Sequence, residues 1–397
     1  MLSYASALEK LLAGTQRLDP VDVPLAEAAG LVVADDLVAR LTQPPFDVSA
    51  MDGYAIRFAD LPGPWRVVGE SAAGRGYAGA LGTGDAVRIF TGAPIPDGAD
   101  AVLVQEEALR DGDALKLAGE GPPRAGAHIR KAGKDFAIGT SLVAAGTRLG
   151  AAHIGLAAAS GHGTLAVRPR PRVALIATGN ELVPPGIIPA ADQIVSSNGV
   201  MLASLFRQAG CVVTDLGIFP DDLDAITAAI RPADCDLLVT IGGASVGDHD
   251  LVQPALKRAG ARIDFWKVAI KPGKPLIAGT LGAARVLGLP GNPVSAFVCA
   301  VLFALPMVRR MAGFTETELP VVDARLTAAL PANGSRRDHL RARLAAGDVT
   351  PFTVQDSAML KTLADANALI IRPEGAGAAD AGARVPVIAL DRILDTP

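Results

Sequence analysis

Four short loops in this chain combine the residue types that handle anions and hard metal ions. TGNEL at 178–182 follows an apolar run directly and puts Glu181 at a strand end, as a carboxylate facing a crevice or as part of an ordinary polar turn. IGGASVGDHD at 241–250 offers close backbone approach through Gly242 and Gly243, a hydroxyl from Ser245, a further glycine at Gly247, and two acids, Asp248 and Asp250. Carboxylates suit Mg²⁺, which usually reaches a protein through one or two of them plus substrate phosphates. The same letters also fit a glycine turn with a helix-capping aspartate. KPGKP at 271–275 sets Lys271 and Lys274 around a Pro-Gly turn. Two ammonium groups near one point repel unless an anion or water screens them, and an exposed basic turn is the plainer alternative. PGNPVS at 290–295 places Asn292 at an N-cap and Pro293 at the first helical position, between Pro290–Gly291 and Ser295. Such a helix start exposes amides that favour an anion.

Other chemistries find less support. The glycines match neither GxxxxGK[ST] nor GxGxxG, which excludes a P-loop and a dinucleotide fingerprint. The five histidines form no HxH or HExxH, and only His249 lies among acids. There is no GxSxG elbow, and Ser245 has no evident base. Asp47 and Asp52 lie within the PPFDVSAMDGYAIR stretch, Asp135 sits beside Lys131 and Lys134, and Asp221 precedes a helical pattern. Taken singly, such acids are solvated surface residues. Together, carboxylates, lysines and a helix start fit transfer or hydrolysis at a phosphoanhydride better than acyl or hydride transfer.

The elements that must position these loops alternate between strand and helix over residues 171–310. VALIAT, VVTDLGIF, DLLVTI and RVLGL read as strands. Helical patterns lie between them, capped at Ser196 or Ser197 and at Asp221, with another near 250–258. This predicts a multidomain α/β protein with a central, mainly parallel sheet, whose ligands bind beyond the carboxyl ends of the strands. Residues 3–14, 24–37 and 147–160 read as helices, and WRVVG, AVRIF and AVLVQ as short strands between irregular Gly and Pro. The expected arrangement is a helical linker domain of 1–43 and 141–170 carrying a β-rich insert of 44–140. The α/β domain then spans 171–318, and an alternating segment, 319–397, forms a small C-terminal β-barrel or sandwich.

A chain of 397 residues, 50% hydrophobic with 43 Gly and 29 Pro, exceeds one core. A net charge of −4 argues against nucleic acid as a partner. Three cysteines without CxxC spacing favour a reducing compartment. The N-terminus lacks the pattern of a signal peptide, and Arg285, Pro290 and Asn292 interrupt a membrane span within 281–307. A soluble cytoplasmic protein without membrane contact is expected.

Eight collinear segments resemble the molybdopterin molybdenumtransferase family, called MoeA in bacteria and represented in animals by the E domain of gephyrin. They are PPFDVSAMDGYAIR at 44–57, RIFTGAPIPDGADAV at 88–102, GKDF at 133–136, TGNEL at 178–182, SNG at 197–199, GGASVGDHD at 242–250, WKVAIKPGKP at 266–275 and GLPGNPVS at 288–295. The resemblance implies a molybdopterin-binding α/β domain that inserts molybdate into adenylated molybdopterin, with Mg²⁺, and releases AMP. It implies Asp52, Asp135, Glu181, Asp221 and Asp250 as the acids of the site, with Asp250, Glu181 and Asp221 on the metal. Lys271 and Lys274 become its basic pair. Gly242, Gly243, Ser245, Gly247 and Asp248 become the ligand-binding loop, and Pro290, Gly291, Asn292, Pro293 and Ser295 border the molybdate region. It further implies a homodimer with sites between subunits, and contact with the adenylating enzyme of the pathway. Asn180 stands where many relatives carry aspartate, and Lys134 adds a charge before Asp135. Two alternatives remain: molybdopterin adenylation of the MogA type, and a gephyrin-like scaffold that binds a peptide.

Overall fold

Apolar runs buried on both faces generate the central layer. A computed structural model describes residues 1–231, 233–243, 251–391 and 393. Its six-stranded sheet runs in the order Val212–Phe219, Arg172–Thr178, Leu237–Ile241, Ala284–Leu289, Pro275–Leu281, Arg262–Lys267. The first four strands are parallel, and the last two add antiparallel pairings. Strand residues alternate between two cores, as the two-residue period demands. Leu175, Val239 and Leu287 join the core under helices Asn198–Gln208 and Pro293–Cys299. Ile176, Leu238 and Val286 join the opposite core, with Ile226, Ile230, Val252 and Leu256. That two-sided burial explains why these strands read as unbroken apolar runs.

The helices follow the same logic. Asn198–Gln208 buries Leu202, Leu205 and Phe206, a one-sided stripe, and stops before Gly210, whose φ of +86° ends it. Burial of Leu202 or Phe206 contributes about 1.5–3 kcal/mol. The cap of Leu223–Ile230 is Asp222, which accepts the Ala225 amide at 2.7 Å. Asp221, the expected cap, is thereby left to the loop before the helix.

One expectation about membranes changes. The helix beginning at Pro293 continues to Met311 through a widened turn at Ala300–Ala304. Pro306, two residues beyond that turn, lacks the amide that would bond to Leu302 in a regular helix. These 19 residues are long and apolar enough to cross a bilayer, with a mean hydropathy of 1.7 over an 18-residue window, but 89% of that window is buried inside the fold. Their start after Asn292 escapes the interruptions seen in the sequence, and packing identifies a core helix.

The N-terminal third departs from the expected helical base. Tyr4–Ala13 is helical and buries Ala7, Leu8 and Leu11 in the central core. Residues 24–37 form only the single turn Leu25–Ala28, because Gly30 takes a φ of +79° and Val32–Val33 pairs as a strand. The three-stranded sheet Val21–Pro24, Thr164–Arg168, Val32–Val33 and the helix Ala151–Ala159 make the stem. Beyond it, six strands from Gly53 to Leu117 form a second sheet, which includes the three β-like segments read from the sequence.

At the C-terminal end a five-strand ring closes. Val321–Leu326 pairs with Arg384–Ala389, then Ala368–Arg372, Arg337–Ala345, Asp348–Pro351 and back to Val321–Leu326. A sixth short strand, Ile270–Lys271, comes from the α/β part and lies parallel to Arg337–Asp338. This barrel is therefore stitched to the lysine turn.

Candidate functional site

The carboxyl ends of the four parallel strands open into a cleft of about 1130 Å³. Loops after successive strands build its floor, as expected for a parallel sheet. Glu181, Asp221, Gly242, Gly243, Lys271, Lys274, Pro290, Gly291, Asn292, Pro293 and Ser295 all line it. The structure thus brings together four motifs that span more than a hundred residues of chain. Ser245, Gly247, Asp248, His249 and Asp250 lie outside the described residues.

Reciprocal hydrogen bonds lock the two acidic loops. The Asn180 amide donates to the Asp221 carboxylate at 3.3 Å, and the Asp221 amide donates to the Asn180 side-chain oxygen at 3.0 Å. Asn180 therefore holds the loop without adding a charge next to Asp221. Glu181 curls over Gly179, where a Cβ would lie 2.6 Å from a Glu181 carboxylate oxygen. Gly242 has a φ of +88°, and a Cβ there would lie 2.9 Å from the Thr178 carbonyl. Glycine is required because the two loop backbones touch.

The basic turn is closed by the Val268 amide on the Lys274 carbonyl at 2.8 Å. Gly273 at its apex packs on the core helix, where a Cβ would fall 2.3 Å from the Cys299 sulfur. Both lysine side chains are exposed toward solvent at the cleft.

The helix start at Pro293 differs from expectation. Asn292 occupies the N-cap and Pro293 the first position, but Asn292 makes no capping bond. Its side-chain amide donates to the Ser357 hydroxyl at 3.0 Å, and the Val294 amide donates to the Ser357 carbonyl, also at 3.0 Å. A barrel loop thus occupies part of the helix end that the sequence suggested was free for an anion.

Asp52 and Asp135 stand apart from this cleft. Asp52 accepts the Thr91 amide at 2.7 Å and the Thr91 hydroxyl at 2.9 Å, and those bonds hold its carboxyl below the usual range. Asp135 is exposed in the turn that packs on Gln43. Nearby Asp47 takes the Lys131 ammonium at 2.6 Å and the Ala132 amide at 2.9 Å, which also lowers its pKa. These contacts order the PPFD and GKDF turns against each other. Within one chain, neither Asp52 nor Asp135 reaches the cleft.

Residues overlooked in the sequence complete the lining. Thr178 and Asn198 each bury an oxygen, Oγ1 and Oδ1, that lacks a partner among the described residues. The Asn198 side-chain amide meanwhile donates to the Gly291 carbonyl at 2.6 Å. A buried oxygen without a partner is costly, and these two residues stand in the cleft wall beside Gly242 and Gly291. Asn198 lies in the SNG segment already singled out. Arg336, Gln355, Asp356 and Ser357 come from the barrel, with no local signal to mark them.

Family models match three successive portions of the chain. They are described as the MoeA N-terminal region (domain I and II) over residues 2–161, the probable molybdopterin binding domain over 174–310, and the MoeA C-terminal region (domain IV) over 323–390. The chain belongs to the MoeA family. Among its MoeA relatives, molybdopterin molybdenumtransferase 2 of Mycobacterium tuberculosis (strain CDC 1551 / Oshkosh) is 38% identical over 384 residues, covering 93% of this chain and 94% of that one. The molybdopterin molybdenumtransferase of Haemophilus influenzae Rd is 36% identical over 300 residues, 75% of this chain and 74% of the relative. The crystal structure of the molybdopterin biosynthesis MoeA protein from Pyrococcus horikosii superposes with a TM-score of 0.86 at 30% identity, covering 98% of this chain and 99% of that one. The likeness to MoeA proteins therefore extends over stem, insert, α/β layer and barrel together.

Proposed function

We propose that this protein is a molybdopterin molybdenumtransferase that inserts molybdate into adenylated molybdopterin and releases AMP. The observation that carries this reading is the convergence of Glu181, Asp221, Lys271 and Lys274 on one cleft, in a chain that matches MoeA in three successive portions between residues 2 and 390. The lysines supply donors for the molybdate oxyanion and for the phosphates of the adenylated substrate. Gly242 and Gly243 let backbone approach the ligand closely, and Thr178 and Asn198 line the same cleft.

The donor set fits Mg²⁺. No group of three metal-ligating side chains is preassembled among the described residues. Two carboxylates on linked loops nevertheless match an ion that keeps waters and takes substrate phosphates as further ligands. Glu181 and Asp221 would hold it, with Asp250 as the third acid. When bound, the ion supplies neutralisation of charge on the phosphoanhydride. Asp52 and Asp135, which stand apart from their own cleft, enter the site from a second copy of the chain. Three buried thiols, Cys211, Cys235 and Cys299, with no disulfide among them, support a cytoplasmic location.

The test is direct. Purified protein is incubated with adenylated molybdopterin, Mg²⁺ and molybdate, and AMP and the molybdenum cofactor are measured. Formation of both is expected; absence of both at micromolar enzyme would reject the reading. Consumption of ATP with release of pyrophosphate would instead assign the preceding adenylation step.

A further inference from the structure

We propose that Asp338, on the C-terminal barrel, is a positioning residue that fixes where Lys271 presents its ammonium in the cleft. The proposal rests on the function given above. The Asp338 side chain is only 10% exposed, and its Oδ2 accepts a hydrogen bond from Lys271 Nζ at 3.1 Å. Exposed ion pairs constrain little, because two mobile side chains must be ordered in water. Here one partner is nearly buried, and without Lys271 its carboxylate would lose that compensating charge. The pair is thus held from the aspartate side.

Backbone contacts fix the geometry further. Ile270–Lys271 lies parallel to Arg337–Asp338, the Arg337 amide donates to the Ala269 carbonyl at 2.8 Å, and the Arg336 guanidinium donates to the Ile270 carbonyl at 3.4 Å. Alternation along this strand sorts its side chains. Arg336 lines the cleft, and Asp338 on the same side reaches Lys271. Arg337 and His339 turn to the other face, where the Arg337 guanidinium lies 4.6 Å from the Tyr4 ring centre and the His339 ring 6.3 Å from it. The packed face sets the register, and the register places the carboxylate under Lys271.

The consequence is a division of labour between the lysines. Lys271 uses one of three ammonium donors on Asp338 and keeps two for an oxyanion at a preset position. Lys274 makes no ion pair or side-chain hydrogen bond among the described residues, so its flexible stem follows the substrate. Preset donors bind an oxyanion with less ordering cost than mobile ones.

The experiment compares full-length wild type, Asp338→Asn, Asp338→Glu, Lys271→Met and the two double variants. It reads kcat, the KM for molybdate, the unfolding midpoint, and equilibrium dialysis of radiolabelled molybdate. Asp338→Asn is expected to raise the molybdate KM or dissociation constant about tenfold with little change in kcat. Asp338→Glu should give an intermediate shift, and in the Lys271→Met background neither change should add a further effect. Unchanged molybdate affinity in folded Asp338→Asn overturns the proposal, as does an equal loss when Lys271 is absent. Should Asp338→Asn not fold, the Asp338→Glu comparison in the two backgrounds decides by the same criterion. A wild type that binds molybdate without releasing AMP removes the activity reading, and the dialysis comparison still decides the role of Asp338. A wild type that neither binds nor turns over rejects both.

Discussion

Glu181 and Gly273 show two different ways a residue can matter at this site. The Glu181 carboxylate is exposed at the cleft and curled against its own loop, so its charge serves a ligand more than the fold. Glu181→Gln is expected to lower divalent-cation-dependent AMP release by about tenfold or more, with the urea midpoint unchanged. Equal turnover in that variant would remove Glu181 from the metal. Gly273 has no side chain to contribute, yet its φ of +102° and its approach to Cys299 admit no Cβ. Gly273→Ala should cost about 1–3 kcal/mol in urea unfolding and displace both lysines. Gly155 is the control: it sits in the helix Ala151–Ala159, and a Cβ added there would meet nothing within 4 Å, so Gly155→Ala should stabilise by about 0.5–1 kcal/mol. A destabilised Gly155→Ala would show that helical propensity does not govern there.

Among the elements, the first long barrel strand, Arg337–Ala345, carries the most consequence. The side that carries Asp338 supports the lysine turn, and the opposite side, directed away from the barrel core, buries His339 against Tyr4 of the first helix. Burial, reinforced by the nearby Arg337 charge, pushes the His339 pKa from 6.5 down to about 3. The imidazole is therefore neutral in the fold and charged in the unfolded chain below about pH 6.5. Its contribution to stability is complete above that pH and falls as pH drops toward 3. His339→Phe should flatten the pH dependence of unfolding free energy between pH 4 and 6 by about one proton, or about 1.4 kcal/mol per pH unit. An unaltered slope would place the acid sensitivity elsewhere. Tyr4, raised to about 12 chiefly by burial, stays neutral throughout that window.

At the scale of the molecule, the insert and the cleft hold complementary halves of the expected acid set. If sites form between two copies, Asp52→Asn and Lys271→Ala chains should each be inactive alone and recover activity when refolded together. About a quarter of wild-type sites should return, since half of randomly formed dimers are mixed and each holds one intact site. No recovery in mixed dimers would place the whole site within one chain.

The sequence by itself determined the α/β layer and most of the cleft. Unbroken apolar strands such as Leu237–Ile241 need two covered faces, and the loops after them must then share one edge of the sheet. Local chemistry likewise marked Gly242, Asn292 and the lysine turn. It misjudged residues 24–37, where Gly30 and strand pairing overrode an amphipathic pattern, and it chose Asp221 over Asp222 as a cap, an error of one residue. Only the tertiary structure decided that a barrel loop covers the helix start at Pro293, that Thr178 and Asn198 each bury an oxygen without a partner among the described residues, and that Asp338 holds Lys271. Each depends on chain segments tens of residues apart meeting with a specific register, and hydrogen bonds of that kind leave no periodicity or motif in the local sequence.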